Sequence, residues 1–344
     1  MTEDTRSRSR WSAALVSAFG GPFGGFLWIG SGKLAVISLV AISAASIALC
    51  YIGFPVLPGI DLSGLASLSS IGIAISSVVL VVPFAHRFKP DKWYAHGLSV
   101  LVLAFLASSL AAFAIRSFLF QPFSIPASSM VPTLEVGDYL FASKFAYGYS
   151  RHSVPFGLLP IAGRTFDTAP ALGDIAVFRR PSDPSTDYIK RIVGLPSDKI
   201  QMIDGVLHIN DHAVKLEETG SYSSDEIRSA KVQRETLQNG VSYSVLDVID
   251  GSTGDNTQPV VVPAGRYFML GDNRDSSADS RFDMGTIPYE NLVGKGVRLF
   301  WNSRGVDYSS RSDRQIDSSR RRLHRTHDGA RFCLMFSHPV CPAL

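Results

Sequence analysis

Cysteine is almost missing from this chain of 344 residues, and where it occurs it is poorly placed for chemistry. Cys50 lies in an apolar run and Cys333 and Cys341 stand near the end, so residues 51–332 hold none. A disulfide framework is excluded, and the water-soluble part of the chain has no thiol nucleophile to offer. A bridge between Cys333 and Cys341 stays open in an oxidising compartment. Histidine is equally unhelpful: His86 and His96 adjoin apolar runs, and the other six lie outside every motif described below. Net charge is also small, +3, with the basic residues in an N-terminal RSRSR, a loop at 86–92 and an arginine-rich tail. No single basic helix collects them, so nucleic acid is not an expected partner. No Ser-x-x-Lys occurs, which removes the penicillin-binding type of serine enzyme. Charges are scarce inside the apolar runs, which argues against a transporter. Internal repeats are absent.

What is present divides sharply. Residues 11–120 are almost continuously apolar, and the chain from about 121 reads as a water-soluble protein. A transmembrane helix needs about 20 apolar residues to cross about 30 Å of hydrocarbon. Residues 34–53, 67–85 and 97–119 meet that requirement. A fourth segment, 11–30, is interrupted by Gly20, Gly21, Pro22, Gly24 and Gly25, which suggests a bent or re-entrant piece. The loop 86–92 carries Arg87, Lys89 and Lys92, whereas 54–66 carries no Lys or Arg. The positive-inside rule therefore puts 86–92 in the cytoplasm and residues from 121 on the opposite side. If 11–30 does not cross, the RSRSR start agrees, which favours three crossings over four. Arg116 then snorkels at the outer end of the last helix.

After 121, short β-branched runs alternate with turn signals. Candidate strands are 139–143, 174–179, 187–193, 199–203, 206–209, 242–248, 259–262, 266–270 and 293–300. Helical periodicity is confined to 224–234. The pattern predicts a mainly-β soluble domain behind N-terminal membrane helices, with a polar inserted subdomain at about 205–260. The division is 1–120 membrane region, 121–301 catalytic domain and 302–344 a basic, disordered tail.

Three segments could carry chemistry. In IPASSMVPTL (125–134), Pro126 and Pro132 keep the backbone out of the helical region around Ser128 and Ser129. Ten residues beyond the last membrane helix span at most about 35 Å, so a nucleophile there stays near the outer membrane surface. Alone, the segment would pass for a serine-rich linker. In DYIKRIVGLPSDKI (187–200), period-two alternation puts Lys190 on the face of Tyr188 and Ile192. Burial would lower its pKa and supply a neutral amine as a base. Alone, it would pass for an edge-strand lysine that prevents sheet aggregation. The loop GDNRDSSADSRF (271–282) has Asp272, Asp275 and Asp279 as candidate calcium ligands. It lacks the glycine and glutamate of such a loop, with Ser277 and Asp283 in their places, so no metal is expected. A hydrogen-bonded buttress for neighbouring side chains fits it better.

Together the three form a known set. The stretch 121–301 resembles the bacterial type I signal peptidases through Ser129-Met130-Val131-Pro132-Thr133-Leu134, Gly137-Asp138-Tyr139, Tyr188-Ile189-Lys190-Arg191, Gly194-Leu195-Pro196 and the box Gly271 through Arg281. The resemblance implies a signal-peptidase-type fold and a Ser–Lys endopeptidase, with no cofactor, that removes signal peptides from pre-proteins after small residues. Its implied setting is the inner (plasma) membrane, multi-pass and monomeric, with the catalytic domain on the periplasmic side. It makes Ser129 the nucleophile and Lys190 the general base. Ser277 would orient the lysine, and Asp272, Asp279 and Arg281 would support the site. Ile125, Pro126, Met130, Leu134 and Ile189 would line shallow substrate pockets.

Three departures accompany the likeness. The family often has a serine two positions before the nucleophile, as an oxyanion donor; here Ala127 stands there, which leaves the Ser129 backbone N–H. The family's Gly-Asp after Gly-Leu-Pro is Ser197-Asp198, which puts a tight turn in question. Residues from about 302 match neither the family nor any helix or strand pattern, so an altered reading frame is an alternative to a disordered tail. Two other functions fit parts of the sequence: a specialised pilus-subunit peptidase on the same core, and a catalytically weak, membrane-anchored binding protein.

Overall fold

The computed structural model describes residues 9–52, 62–87, 91–154, 161–224, 227 and 229–303. The start of RSRSR, residues 53–61, residues 88–90 of the basic loop, and the tail from 304 with Cys333 and Cys341 lie outside the described residues. The chain divides into two units, Met1–Arg116 and Ser117–Leu344.

The first unit is helical. Helix α1 (Arg10–Trp28) opens on Ser9, whose Oγ accepts the Ser12 N–H at 3.2 Å. At Gly21 the backbone leaves the helical region (φ 65°, ψ −178°), and Pro22 follows. The two halves fold back on each other. The Trp28 indole N–H reaches Ser12 Oγ at 3.2 Å, and a side chain at Gly25 would stand 2.6 Å from Ser17 Cβ. Sixteen residues of straight helix would separate Trp28 from Ser12 by about 24 Å, so the glycine–proline cluster makes this bend. Helices α2 (Gly32–Ile52), α3 (Leu62–Val81) and α4 (Gly97–Phe118) follow. Among the described residues, only α4 is long and apolar enough to cross a membrane; shorter apolar stretches cover Gly32–Ala45 and Ile71–Phe84.

The second unit is built on a seven-stranded antiparallel sheet of order β1-β2-β16-β5-β6-β14-β15. Its strands are β1 (Phe120–Ser124), β2 (Asp138–Ser143), β5 (Ile175–Arg180), β6 (Asp183–Gly194), β14 (Arg266–Leu270), β15 (Ile287–Pro288) and β16 (Leu292–Asn302). A short hairpin, β3 (Tyr149–Ser150) with β4 (Arg164–Thr165), branches from it. A four-stranded sheet orders β13 (Val260–Val261), β7 (Lys199–Ile203), β8 (Val206–Ile209) and β9 (His212–Ala213). Asp204 and Gly205 turn β7 into β8, both at positive φ, which is the two-residue hairpin that suits the strand twist. A three-stranded sheet orders β10 (Lys215–Tyr222), β11 (Ala230–Thr236) and β12 (Ser242–Asp247).

The helical periodicity read over 224–234 is corrected here: Ala230–Thr236 is strand β11, paired on both sides. Its apolar residues fit two periods, and the flanking strands decide between them. The main core joins Val193, Ile200, Met202, Leu207, Val245 and Phe268, so it fuses the two smaller sheets to the large one.

Candidate active site

Ser129 lies in the single turn Ser128–Met130, which follows β1 after an extended Ala127 (φ −124°, ψ 152°). Two backbone bonds hold the turn. The Val131 N–H donates to Ser128 O at 3.1 Å, and the Leu134 N–H to Met130 O at 2.9 Å. Met130 is buried, which leaves Ser129 half-buried on the other side.

Lys190 comes from β6, opposite Ala176 of β5. It is 4% exposed, and its Nζ is hydrogen-bonded to Ser129 Oγ. Burial lowers its pKa from the ordinary lysine value to about 8; the Asp279 and Asp272 carboxylates oppose that shift and Arg281 adds to it. The alternation read from sequence holds, since Tyr188 and Ile192 pack in one cluster and Ile189 in another.

The 271–281 box closes the site from behind. Asp272 receives both arms of Arg191, Nε at 2.8 Å and Nη2 at 2.6 Å, and also accepts from the Thr133 hydroxyl. Asp279 receives Arg281 Nε at 3.0 Å and Nη2 at 3.0 Å, and takes the Gly271 N–H at 3.1 Å. Gly271 admits no side chain: a Cβ there would lie 2.2 Å from Ser277 Oγ and 2.6 Å from Ser129 O. Asn273, fully buried, donates its backbone N–H to Ser129 O and its side-chain Nδ2 to Ser128 O, each at 3.1 Å.

Ser129, Lys190, Asp272 and Ser277 are thus gathered at one place, with the Asp279–Arg281 pair behind Gly271. The bond from Ser277 to the lysine is not formed: Ser277 Oγ is buried and has no hydrogen-bond partner among the described residues. Of the expected pocket residues, Ile125, Met130 and Leu134 are buried in one cluster with part-buried Ile189, and Pro126 is exposed beside it. Asp275 is turned away, accepting the Val248 and Ile249 N–H groups at 2.7 and 2.9 Å. No cluster of three metal-ligating side chains occurs among the described residues.

Two partners were not foreseen. Glu235 of β11, 1% exposed, takes Arg274 at 2.6 and 2.5 Å and the Tyr243 hydroxyl at 2.7 Å. The Tyr243 ring of β12 lies 3.9 Å under the Arg191 guanidinium. Burial, and then Glu235, push the Tyr243 pKa well up.

The sequence model of the family described as "Signal peptidase, peptidase S26" matches residues 98–301. The signal peptidase I of Rickettsia canadensis (strain McKiel) is 42% identical over 201 residues, covering 56% of this chain and 76% of the relative. That of Rickettsia typhi (strain ATCC VR-144 / Wilmington) is 43% identical over 202 residues, with 56% and 76% covered. The crystal structure of a signal peptidase I from Enterococcus faecalis V583 aligns with 24% identity and a TM-score of 0.23, covering 37% of this chain and 97% of that one.

Proposed function

This chain belongs to the signal peptidase family, peptidase S26, and is a serine peptidase; on that premise we propose that it cleaves N-terminal signal peptides from exported pre-proteins after small residues, with Ser129 as nucleophile and Lys190 as general base. The observation that carries the reading is the hydrogen bond between Ser129 Oγ and a lysine whose pKa burial has lowered to about 8. A serine is a weak nucleophile until a base within hydrogen-bond reach takes its proton. With the amine neutral, the Ser129 hydroxyl donates to Nζ.

Ser129 Oγ attacks the peptide carbonyl carbon while its proton passes to Lys190. The tetrahedral intermediate collapses with cleavage of the C–N bond, and the ammonium returns the proton to the departing amine. Water then attacks the acyl-enzyme with Lys190 as base again, releasing the new carboxylate and restoring Ser129. Asp272, held by Arg191 and Thr133, and the Asp279–Arg281 pair keep the box rigid. Ser277, whose buried hydroxyl beside Gly271 is unpaired among the described residues, would orient the neutral amine only by turning to it as the substrate binds. Ile125, Met130, Leu134 and Ile189 floor a shallow pocket with Pro126 at its rim, a surface suited to small side chains.

The setting we propose is a multi-pass protein of the plasma membrane with its catalytic domain outside the cytoplasm. Helix α4 has 22 residues, about 33 Å of rise against about 30 Å of hydrocarbon. Leu98, Leu101, Phe105 and Leu110 stand exposed along it, as lipid-facing side chains would. The sequence spans 34–53 and 67–85 would cross with it, by their whole apolar length rather than by the shorter stretches Gly32–Ala45 and Ile71–Phe84 alone, and the bent α1 would not. The domain division is membrane region 1–120 and catalytic domain 121–301, the latter corrected to run on through Asn302 at the end of β16, with the tail beyond it playing no part.

Full chain in detergent should cut a pre-protein once, after a small residue, as read by N-terminal sequencing of the product. Ser129→Ala and Lys190→Met should each leave the pre-protein intact. Cleavage by either variant at the parent rate would overturn the assignment.

A further inference from the structure

We infer that Asn273 is a positioning residue for the oxyanion site: its side chain aims the one backbone N–H left to receive the developing negative charge. The inference rests on the proposed role of Ser129 as nucleophile. Ser128 C=O and Ser129 N–H belong to the same peptide plane, and in a trans peptide they point in opposite directions. Whatever holds the carbonyl therefore sets the aim of the N–H. Two donors hold it, the Val131 N–H at 3.1 Å and Asn273 Nδ2 at 3.1 Å. The next carbonyl, Ser129 O, is held by the Asn273 backbone N–H at 3.1 Å. Asn273 thus grips both peptide planes that flank the nucleophile. Among the described residues no acceptor takes the Ser129 N–H itself, so it remains available to a substrate.

The amide orientation follows from chemistry, because Oδ1 facing Ser128 O would set two acceptors together. Among the described residues Oδ1 is buried without a partner, so the side chain's polar contact is the bond to Ser128 O. That bond does more than orient. Donation to a carbonyl polarises the amide and strengthens its N–H as a donor. The effect matters here because position 127 is alanine, exposed and without a hydroxyl. With one side-chain donor absent, the quality of the remaining N–H decides how well charge on the substrate oxygen is stabilised. Asn273 itself is anchored, since it pairs with Leu246 at the end of β12.

Removing an oxyanion donor lowers kcat by about 10²–10³ in a serine protease where this is known, with little change in ground-state binding. In full chain in detergent, Asn273→Asp and Asn273→Ser should lower kcat about 10²-fold and leave KM within about threefold. A second readout separates aim from general damage. Sulfur is a weak hydrogen-bond acceptor, so the rate ratio between a peptide and its scissile-bond thioamide reports stabilisation of the oxyanion. That ratio should collapse about tenfold or more in both variants. Adding Ala127→Ser to Asn273→Ser should restore rate by a larger factor than Ala127→Ser gives in the parent. A parent-like kcat, or a lowered kcat with the thioamide ratio unchanged, would overturn the inference. Should Asn273→Asp not fold, Asn273→Ser carries the same ratio test. Ser129→Ala serves as the control: if it cleaves normally, the nucleophile assignment has failed, whereas an inactive Ser129→Ala beside a normal Asn273→Asp sinks only the role of Asn273.

Discussion

At the scale of single residues, Lys190 is where burial and function meet. Its amine is a base only when neutral, so kcat/KM should rise about tenfold per pH unit up to about 8 and then level off. A profile already flat at pH 6 would contradict that role. Stability follows from the same depressed value. Between about 8 and the ordinary lysine pKa of 10.5 the unfolded chain binds a proton that the folded chain does not. Stability therefore increases with pH across that window, and is lowest below 8, where the buried amine must carry charge. Lys190→Met should lose activity and yet unfold at a higher temperature near pH 7, as seen by calorimetry. Two backbone positions complete the residue scale. Gly271→Ala forces a Cβ to 2.2 Å from Ser277 Oγ and 2.6 Å from Ser129 O, and should abolish cleavage. Ser197 occupies the left-handed region at φ 77°, which favours glycine. Ser197→Gly should raise stability by about 1 kcal/mol in urea unfolding, with kcat unchanged.

At the scale of elements, the three-stranded sheet β10–β12 carries more than its polar sequence suggested. Val131 of the nucleophile segment packs against Ala230 and Leu246, and the Tyr222 hydroxyl of β10 donates to Glu135 at 2.9 Å. Glu235 of β11 neutralises Arg274 inside the box. Breaking a buried ion pair from one side costs about 3–5 kcal/mol, because the other charge stays behind unpaired. Glu235→Ala should show a loss of that size by chemical denaturation, and Glu235 and Arg274 both replaced by apolar residues should lose less. This is also where the sequence stopped being legible. Strands with clear alternation and turn signals, such as 199–203 and 206–209 around Asp204-Gly205, could be read with their ends. Strands β10 and β11 could not, because β10 is largely exposed on both faces and has too few apolar residues for a period to show. Ser129, Lys190, Asp272, Ser277 and Arg281 stood in contiguous motifs. Glu235 and Tyr243 are brought in by tertiary pairing between distant strands, which no local pattern encodes. Asn273 was within a quoted motif, but its role depends on where Ser128 O lies in space.

At the scale of the whole molecule, the apolar half and the β domain make one testable arrangement. In a chain freed of its three cysteines, a Ser276→Cys substitution in the exposed part of the box should react with a membrane-impermeant maleimide in intact cells. Lys92→Cys, in the basic loop, should react only after permeabilisation. The opposite pattern would invert the proposed topology.

The strand order adds a consequence in time rather than in space. The nucleophile turn leads into β2 and the base stands on β6, whose neighbour is β5; yet β2 and β5 do not pair. The last described strand, β16, lies between them and pairs with both. In the proposed topology the chain would emerge across the membrane from its N-terminal side, so Ser129 and Lys190 would arrive early as parts of two separate half-sheets. They become one sheet only when residues 292–302 have followed. In that topology a peptidase exported piecemeal would gain its cutting edge only once β16 had been delivered.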